Sequence, residues 1–260
     1  MELDSLFDSP SALIDHARDH IKDAEDRCRA FFEATPYTKV IDVDFEKREE
    51  IHKLRLSAKL PAKISAVVKD ATGNLRDALD HAVFASAVAI SGNVNPSDTG
   101  FPFAKDANGV TGELHGKRLR GNPPEIRPFL ASLNPHETGN ALLWSLNKIR
   151  NPNTHRVIIP VGAATIAGDA SMNGFHIIGG LRFGYSRWHP TTNEVEFLRV
   201  GIGSIVNYQV DITSHVAFGD IETLRGKEII GTLLAMATEV ERIVSGIKAE
   251  TARILRERAP

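Results

Sequence analysis

From Pro61 to about Ser91 the chain repeats one pattern that leaves it little choice of structure. Ile64, Val68, Ala71, Leu75, Ala78, Ala82 and Ala89 recur at steps of three, four and seven. With each residue turned by about 100° from the last, they fall within about 40° of a common direction. Pro61 suits a first helical turn, where its missing N–H is not needed. A long helix with one apolar face must cover that face with other elements, so this stretch predicts a helix bundle. The same wheel gathers Asp70, Asn74, Asp77 and His81 into a polar stripe beside the core edge and sends Lys69, Arg76 and Asp80 to the wet side. Such a stripe serves as a hydrogen-bonded packing network, a solvent boundary, a functional surface or a metal site, and the wheel leaves these open.

Partners for that helix are legible on both sides of it. Residues 11–34 place Ile14, Ala17, Ile21, Ala24, Cys28 and Phe31 on one face, with Ser11 after Pro10 as N-cap. His16 and His20, one turn apart, fit a solvated face better than a metal pair. Residues 123–150 hold two helical pieces broken at Asn134-Pro135, and 222–256 carry Ile230, Leu233, Ala237, Val240, Val244 and Ile247 on one side. Strand signals fill the gaps. Residues 37–57 alternate about the charged turn Glu46-Lys47-Arg48-Glu49, and further strands are expected near 157–159, 163–168, 174–185, 194–200 and 204–213. Gly179-Gly180 predicts a bulge inside its strand, and Gly201-Ile202-Gly203 and Pro190 to Asn193 predict turns. Residues 92–122, dotted with Gly and Pro, predict a long irregular connection anchored by Phe101-Pro102-Phe103. The expected class is therefore α+β: an antiparallel helical bundle packed with an antiparallel sheet inserted before the last helix, in a single domain spanning 1–260.

Charge and cysteine usage narrow the function classes. With a net charge of −2 the chain has no overall basic field. Residues 1–36 nevertheless hold nine acids and four bases, whereas 117–156 hold seven bases and two acids. A local anion site in the second region is consistent with that, with Lys117-Arg118-Leu119-Arg120 as a solvated loop or a clamp. Cys28 stands alone, which excludes an internal disulfide and predicts no disulfide-linked partner. The start, Met1-Glu2-Leu3-Asp4, lacks a basic and then apolar leader, and no apolar run approaches membrane length. A cytoplasmic protein without membrane attachment is expected.

Chemistry-capable side chains concentrate at one abrupt change of structure. Lys148, Arg150, Asn151, Asn153, His155 and Arg156 fall where an amphipathic helix meets Pro152 and then β-branched residues. On an unbroken helix, residues five apart point about 140° away from each other. A proline break lets Arg150 and His155 converge, joining a bidentate cation for phosphate to a ring that moves protons near neutral pH. Capping of the preceding helix and pairing with Asp70 or Asp77 is the structural alternative for His155 and Arg156.

Arg150-Asn151-Pro152-Asn153-Thr154-His155 resembles the Arg-polar-x-x-x-His signature of HEPN-like helical domains, many of them metal-independent ribonucleases. The resemblance implies a phosphate-binding role for Arg150, an organising role for Asn151 and proton transfer by His155, with Lys148, Asn153 and Arg156 near the substrate. It also implies RNA as partner, a homodimer and no cofactor. A second copy of the pattern, Arg76-Asp77-Ala78-Leu79-Asp80-His81, lies in the long helix. There the wheel sets Arg76 and His81 apart and favours an Arg76–Asp80 pair, so mechanism is expected at the first copy. The segment Asn74 to His81, followed far downstream by His155-Arg156, is also similar to a loose family of uncharacterised bacterial proteins, which implies a fold and no activity.

Other chemistries find less support. No Gly-Lys-Ser/Thr phosphate loop and no Gly-x-Ser-x-Gly elbow occurs, and Trp144, Trp188, Tyr185 and Tyr208 are too scattered for a base-stacking platform. Three readings remain: a HEPN-like metal-independent endoribonuclease or RNA-binding protein, a non-catalytic interaction or scaffold module of a bacterial complex, and a metal-dependent hydrolase using Asp70, Asp77 and His81.

Overall fold

The structure, a computed structural model, describes residues 2–150, 158–166, 176–189, 191–206, 210–219 and 221–259. The order is α1 (Leu3–Leu6), α2 (Asp8–Glu33), β1 (Tyr37–Asp44), β2 (Glu49–Leu56), α3 (Ala62–Ser91), α4 (Ala107–His115), α5 (Arg127–Ser132), α6 (Ala141–Ile149), β3 (Ile158–Ile166), β4 (Arg182–His189), β5 (Glu194–Gly201), β6 (Val210–Phe218) and α7 (Ile229–Arg258). This is the α+β class read from the sequence: helices with antiparallel strands, four of which lie between α6 and the last helix.

The apolar face of α3 lies at the centre. Ile64, Val68, Ala71, Leu75, Ala78 and Ala82 are fully buried and meet Ile14, Ala17, Ile21 and Ala24 of α2 and Leu233, Ala237, Val240 and Ile247 of α7. Small alanines at successive turns let the helix backbones approach closely, while the Ile and Leu side chains fill the spaces between them. Across the α3–α7 contact a buried Thr251 hydroxyl donates to Ser86 Oγ at 2.7 Å and to its own helix at Ile247 O. Helix α6 packs on α3 and α7, and its N-cap Asn140 donates to Glu239 Oε1 of α7 at 2.8 Å.

β1, β2, β5 and β4 form one antiparallel sheet in that order, and β3 and β6 form a two-stranded ribbon. Val216 and Phe218 of β6 enter the helical core, whereas Leu54, Val195, Phe197, Leu198 and Val200 make a smaller core on the sheet. The turn before β2 ends on Arg48 at φ 56°, and the one before β5 on Asn193 at φ 53°, so the charged turn and the turn at 191–193 lie where the residue types place them.

Several local expectations are corrected. The second helix begins at Asp8 rather than Ser11, whose hydroxyl instead donates back to Phe7 O within the first turn. Residues 92–122 are less irregular than their Gly content implies, because Asp106 accepts from Gly109 N–H and starts α4. Gly179, at φ 78°, lies in a bend before β4 rather than in a bulge of a strand. Ala89 is only half-buried. Among the described residues no helix is long and apolar enough to cross a membrane.

Candidate functional site

A cavity of about 980 Å³ opens beside α3, and the second copy of the Arg-polar-x-x-x-His pattern forms its floor. Arg76, Asp77, Asp80, His81, Phe84 and Val88 all line it, together with Arg150 from the C-terminal end of α6. The wheel was right that Arg76 and His81 diverge, by about 140°. The cavity is broad enough to receive both, with Asp80, Phe84 and Asp77 at intermediate angles between them.

Arg76 is the clearest departure from the sequence reading, for it is 7% exposed rather than solvated. The reason is tertiary: the segment 99–103 folds over that side of α3. Arg76 Nη1 stands 2.5 Å from Asp80 Oδ2, one turn on, and the guanidinium lies 4.4 Å from the centre of the Phe103 ring. The other Asp80 oxygen accepts from Phe101 N–H at 2.8 Å. Buried Asn122 holds the same segment from outside, donating to Gly100 O at 2.9 Å and accepting from Gly100 N–H at 3.2 Å. A side chain at Gly100 would set its Cβ 3.2 Å from Asp80 Oδ1, so glycine permits the close approach. Phe101 and Phe103 are buried, as anchors of this connection should be.

On the other wall the contacts come from distant parts of the chain. Arg150, the C-cap of α6, pairs with Asp77 Oδ1 at 3.0 Å and is 51% exposed. A cation at a helix C-terminus is favoured by the helix dipole. His81 Nδ1 shares a 2.8 Å hydrogen bond with Ser9 Oγ at the start of α2, which orients the ring and turns Nε2 to the other side. Arg118, in the 3-10 turn Lys117–Leu119, also lines the cavity and pairs with Glu113 at 2.7 Å. Arg120 is held by Asp98 at 2.8 Å and Arg127 by the backbone oxygen of Asn122, so much of the basic excess in this region is matched locally.

The polar stripe does not act as one group. Asp70 is exposed, Asn74 Nδ2 faces His16 Nδ1 at 3.5 Å, Asp77 pairs with Arg150, and His81 meets Ser9. The His16 and His20 rings lie side by side, tilted by 46° with centroids 4.7 Å apart. Among the described residues no three His, Cys, Asp or Glu side chains converge to hold a metal ion. Lys148 sits with its ammonium 4.6 Å from the Trp144 ring centre. Asn151, Asn153, His155 and Arg156 lie outside the described residues.

Ser9 and Phe84 were not singled out from sequence, whereas Arg118 belongs to the basic run Lys117 to Arg120 read there as a solvated loop or a clamp. For Phe84 the signal was available, since Asp77, His81, Phe84 and Val88 continue one helical stripe at steps of four and three. For Ser9 none was, because tertiary packing alone brings it to α3. No family model matches the chain, and neither a curated protein nor a solved structure matches it.

Proposed function

We propose that this protein is a HEPN-like, RNA-directed protein whose site is the cavity beside α3, with metal-independent phosphodiester cleavage as its chemistry. One observation carries the reading: Arg150 and the Arg76 to His81 segment, two stretches far apart in sequence that share the motif's residue types, open on the same cavity. Arg150 is half exposed and, among the described residues, paired with the Asp77 carboxylate, so a phosphate can take the place of Asp77 and gain the bidentate geometry that an arginine offers. By the resemblance, Asn151 has the organising role for that phosphate. The resemblance assigns proton transfer to His155, which His81 on the cavity floor would share, and substrate contacts to Lys148, Asn153 and Arg156.

In the reaction one imidazole takes the proton of the ribose 2′-hydroxyl as O2′ bonds to phosphorus. The P–O5′ bond breaks, and O5′ receives a proton from the second imidazole. The products are a 2′,3′-cyclic phosphate and a 5′-hydroxyl, with no net oxidation and no water consumed. The test is cleavage of single-stranded RNA in chelator. Wild-type protein should produce cyclic-phosphate ends, and His155→Ala, His81→Ala and Arg150→Ala should each lower the rate by at least about a hundredfold. RNA left intact by wild-type protein rejects the catalytic form of the reading.

A second reading, a non-catalytic interaction module acting as a homodimer or in a larger complex, is favoured by a different observation. Phe45 at the β1–β2 turn is 80% exposed, and Ile41, Val43, Ile202 and Ile205 are exposed as well. Ile202 N–H donates to Arg48 O, which brings two of these turns side by side. Exposed apolar side chains on neighbouring turns are a feature of contact surfaces. Intact RNA together with a stable complex lost in Phe45→Ser would favour it.

A further inference from the structure

The α3 floor of the cavity changes character along its length. At the end nearer the start of α3 stand Asp77 and His81, with Arg150 and Ser9 facing them. One to three turns further on the same face presents Phe84 and Val88, and Leu6 of α1 and Pro96 also line the cavity. Asp77 and Val88 are separated by about 16 Å along the axis. Phe84, Val88 and Leu6 are half-buried, so their apolar surfaces are partly available to a ligand.

From this gradient we infer that the cavity holds one whole nucleotide, its phosphate at Arg150 and its base against Phe84. The inference rests on the RNA-directed reading and narrows it to RNA whose target base is unstacked and unpaired. A phosphate end, hydroxyl partners and an aromatic end follow one another in the order in which a nucleotide presents them. Ser9 and the Asp77 carboxylate stand where ribose hydroxyls need a hydrogen-bond partner. The Phe84 ring supplies the planar apolar face on which a base stacks. The apolar end spans little more than one turn of α3, which suits a base and is too short for an extended acyl chain. A volume near 980 Å³ lies in the range of pockets that enclose a small ligand. A base still in a duplex cannot reach the cavity wall, so the site selects for single strands.

The experiment uses ligands that have no bond to cleave. Adenosine 5′-monophosphate, ribose 5-phosphate and adenosine are titrated into the full chain by calorimetry or NMR. The nucleotide should bind at least about tenfold more tightly than either ribose 5-phosphate or adenosine, because each lacks one end of the recognition. Phe84→Ala should abolish the advantage over ribose 5-phosphate while leaving the sugar phosphate's own affinity in place. Phe84→Leu, which keeps the volume but not the ring, should retain the fold and lose most of the same advantage. Equal binding of nucleotide and sugar phosphate, an unchanged preference in both Phe84 variants, or no binding of any of the three overturns the inference. RNA that stays intact beside normal nucleotide discrimination defeats the nuclease reading alone. Cleavage of RNA without such discrimination defeats the base site alone.

Discussion

The outer face of the four-stranded sheet and the cavity side of α3 are both crowded with paired charges, yet they are built in opposite ways. On the sheet, register brings Lys53 opposite Glu196 and Arg55 opposite Glu194. Lys53 also reaches Asp42 at 2.6 Å, and Arg199 spans Glu196 and Glu49. These groups close on one another. On α3 the Arg76–Asp80 pair is local, but Asp77 finds its partner on α6 and His81 finds its own on α2. Those contacts leave a cavity between the elements that supply them.

Shifted ionisation occurs on the sheet and also on α2 and α7. Burial pushes the Glu194 carboxyl up, but the hydrogen bond from Arg55 and the charges of Lys53 and Arg55 outweigh it and hold it below its ordinary value. Lys53 is raised chiefly by its hydrogen bond to Asp42, and desolvation lowers His52. A search for functional groups by perturbed pKa alone would go to Cys28 of α2, where burial pushes the thiol up to about 11, and to tightly paired groups on the sheet and α7. Tight structural pairing produces such shifts as readily as catalysis does, so geometry around a cavity is the better guide in this protein.

The largest effect that can break this contrast is expected at Arg76. Replacing it with Ala removes a buried cation and leaves Asp80 with half of its support. The loss should be about 2–3 kcal/mol in urea unfolding. A loss below about 1 kcal/mol would mean that the ion pair does not hold the 99–103 segment on α3. Next comes Glu194→Gln, with an expected cost of about 1–2 kcal/mol at neutral pH. Because the folded pKa of Glu194 lies below 4.5, its contribution is complete above that value and fades as pH falls through the folded one. Desolvated His52 acts in the same direction from 6.5 downward. Acid should therefore narrow the stability gap between wild type and Glu194→Gln, and a gap that widens from pH 6 to pH 3 would contradict the sign.

Arg150→Ala should change stability by less than about 0.5 kcal/mol, since both partners of its pair are well exposed. The same substitution should weaken RNA binding about tenfold or more. Equal and large losses in both measurements would make Arg150 a structural residue like Arg76. The smallest effect belongs to Arg18→Ala, which breaks a surface pair with Glu241. It should move the urea midpoint only within error, and it serves as the control for the cavity variants.

Much of the fold could be read from residue spacing. The face of α3, the core faces of α2 and α7, the break at Asn134-Pro135 and the first hairpin follow from periods of 3.6 and 2 and from turn residues. What could not be read were features that depend on a distant segment. Arg76 looks solvated on a wheel because a wheel contains no Phe103 and no Asn122. Glycines at 109, 112 and 116 suggest a loop, yet α4 forms because Asp106 caps its start and Val110 and Leu114 are buried. At the site, Arg150 and His81 were visible as chemistry-capable groups, but their shared cavity was not.

By itself the sequence determined the helical and strand periods, the buried face of each long helix, the lone cysteine and the two copies of an arginine–histidine spacing. These are local properties, set by which side of a helix or strand each residue occupies. Tertiary structure alone decided that one copy would floor a cavity, that Arg76 would be sealed beneath an aromatic segment, and that Arg150 would stand over Asp77. Those outcomes depend on how three helix ends and a connecting segment meet in space, which no spacing within a single element encodes.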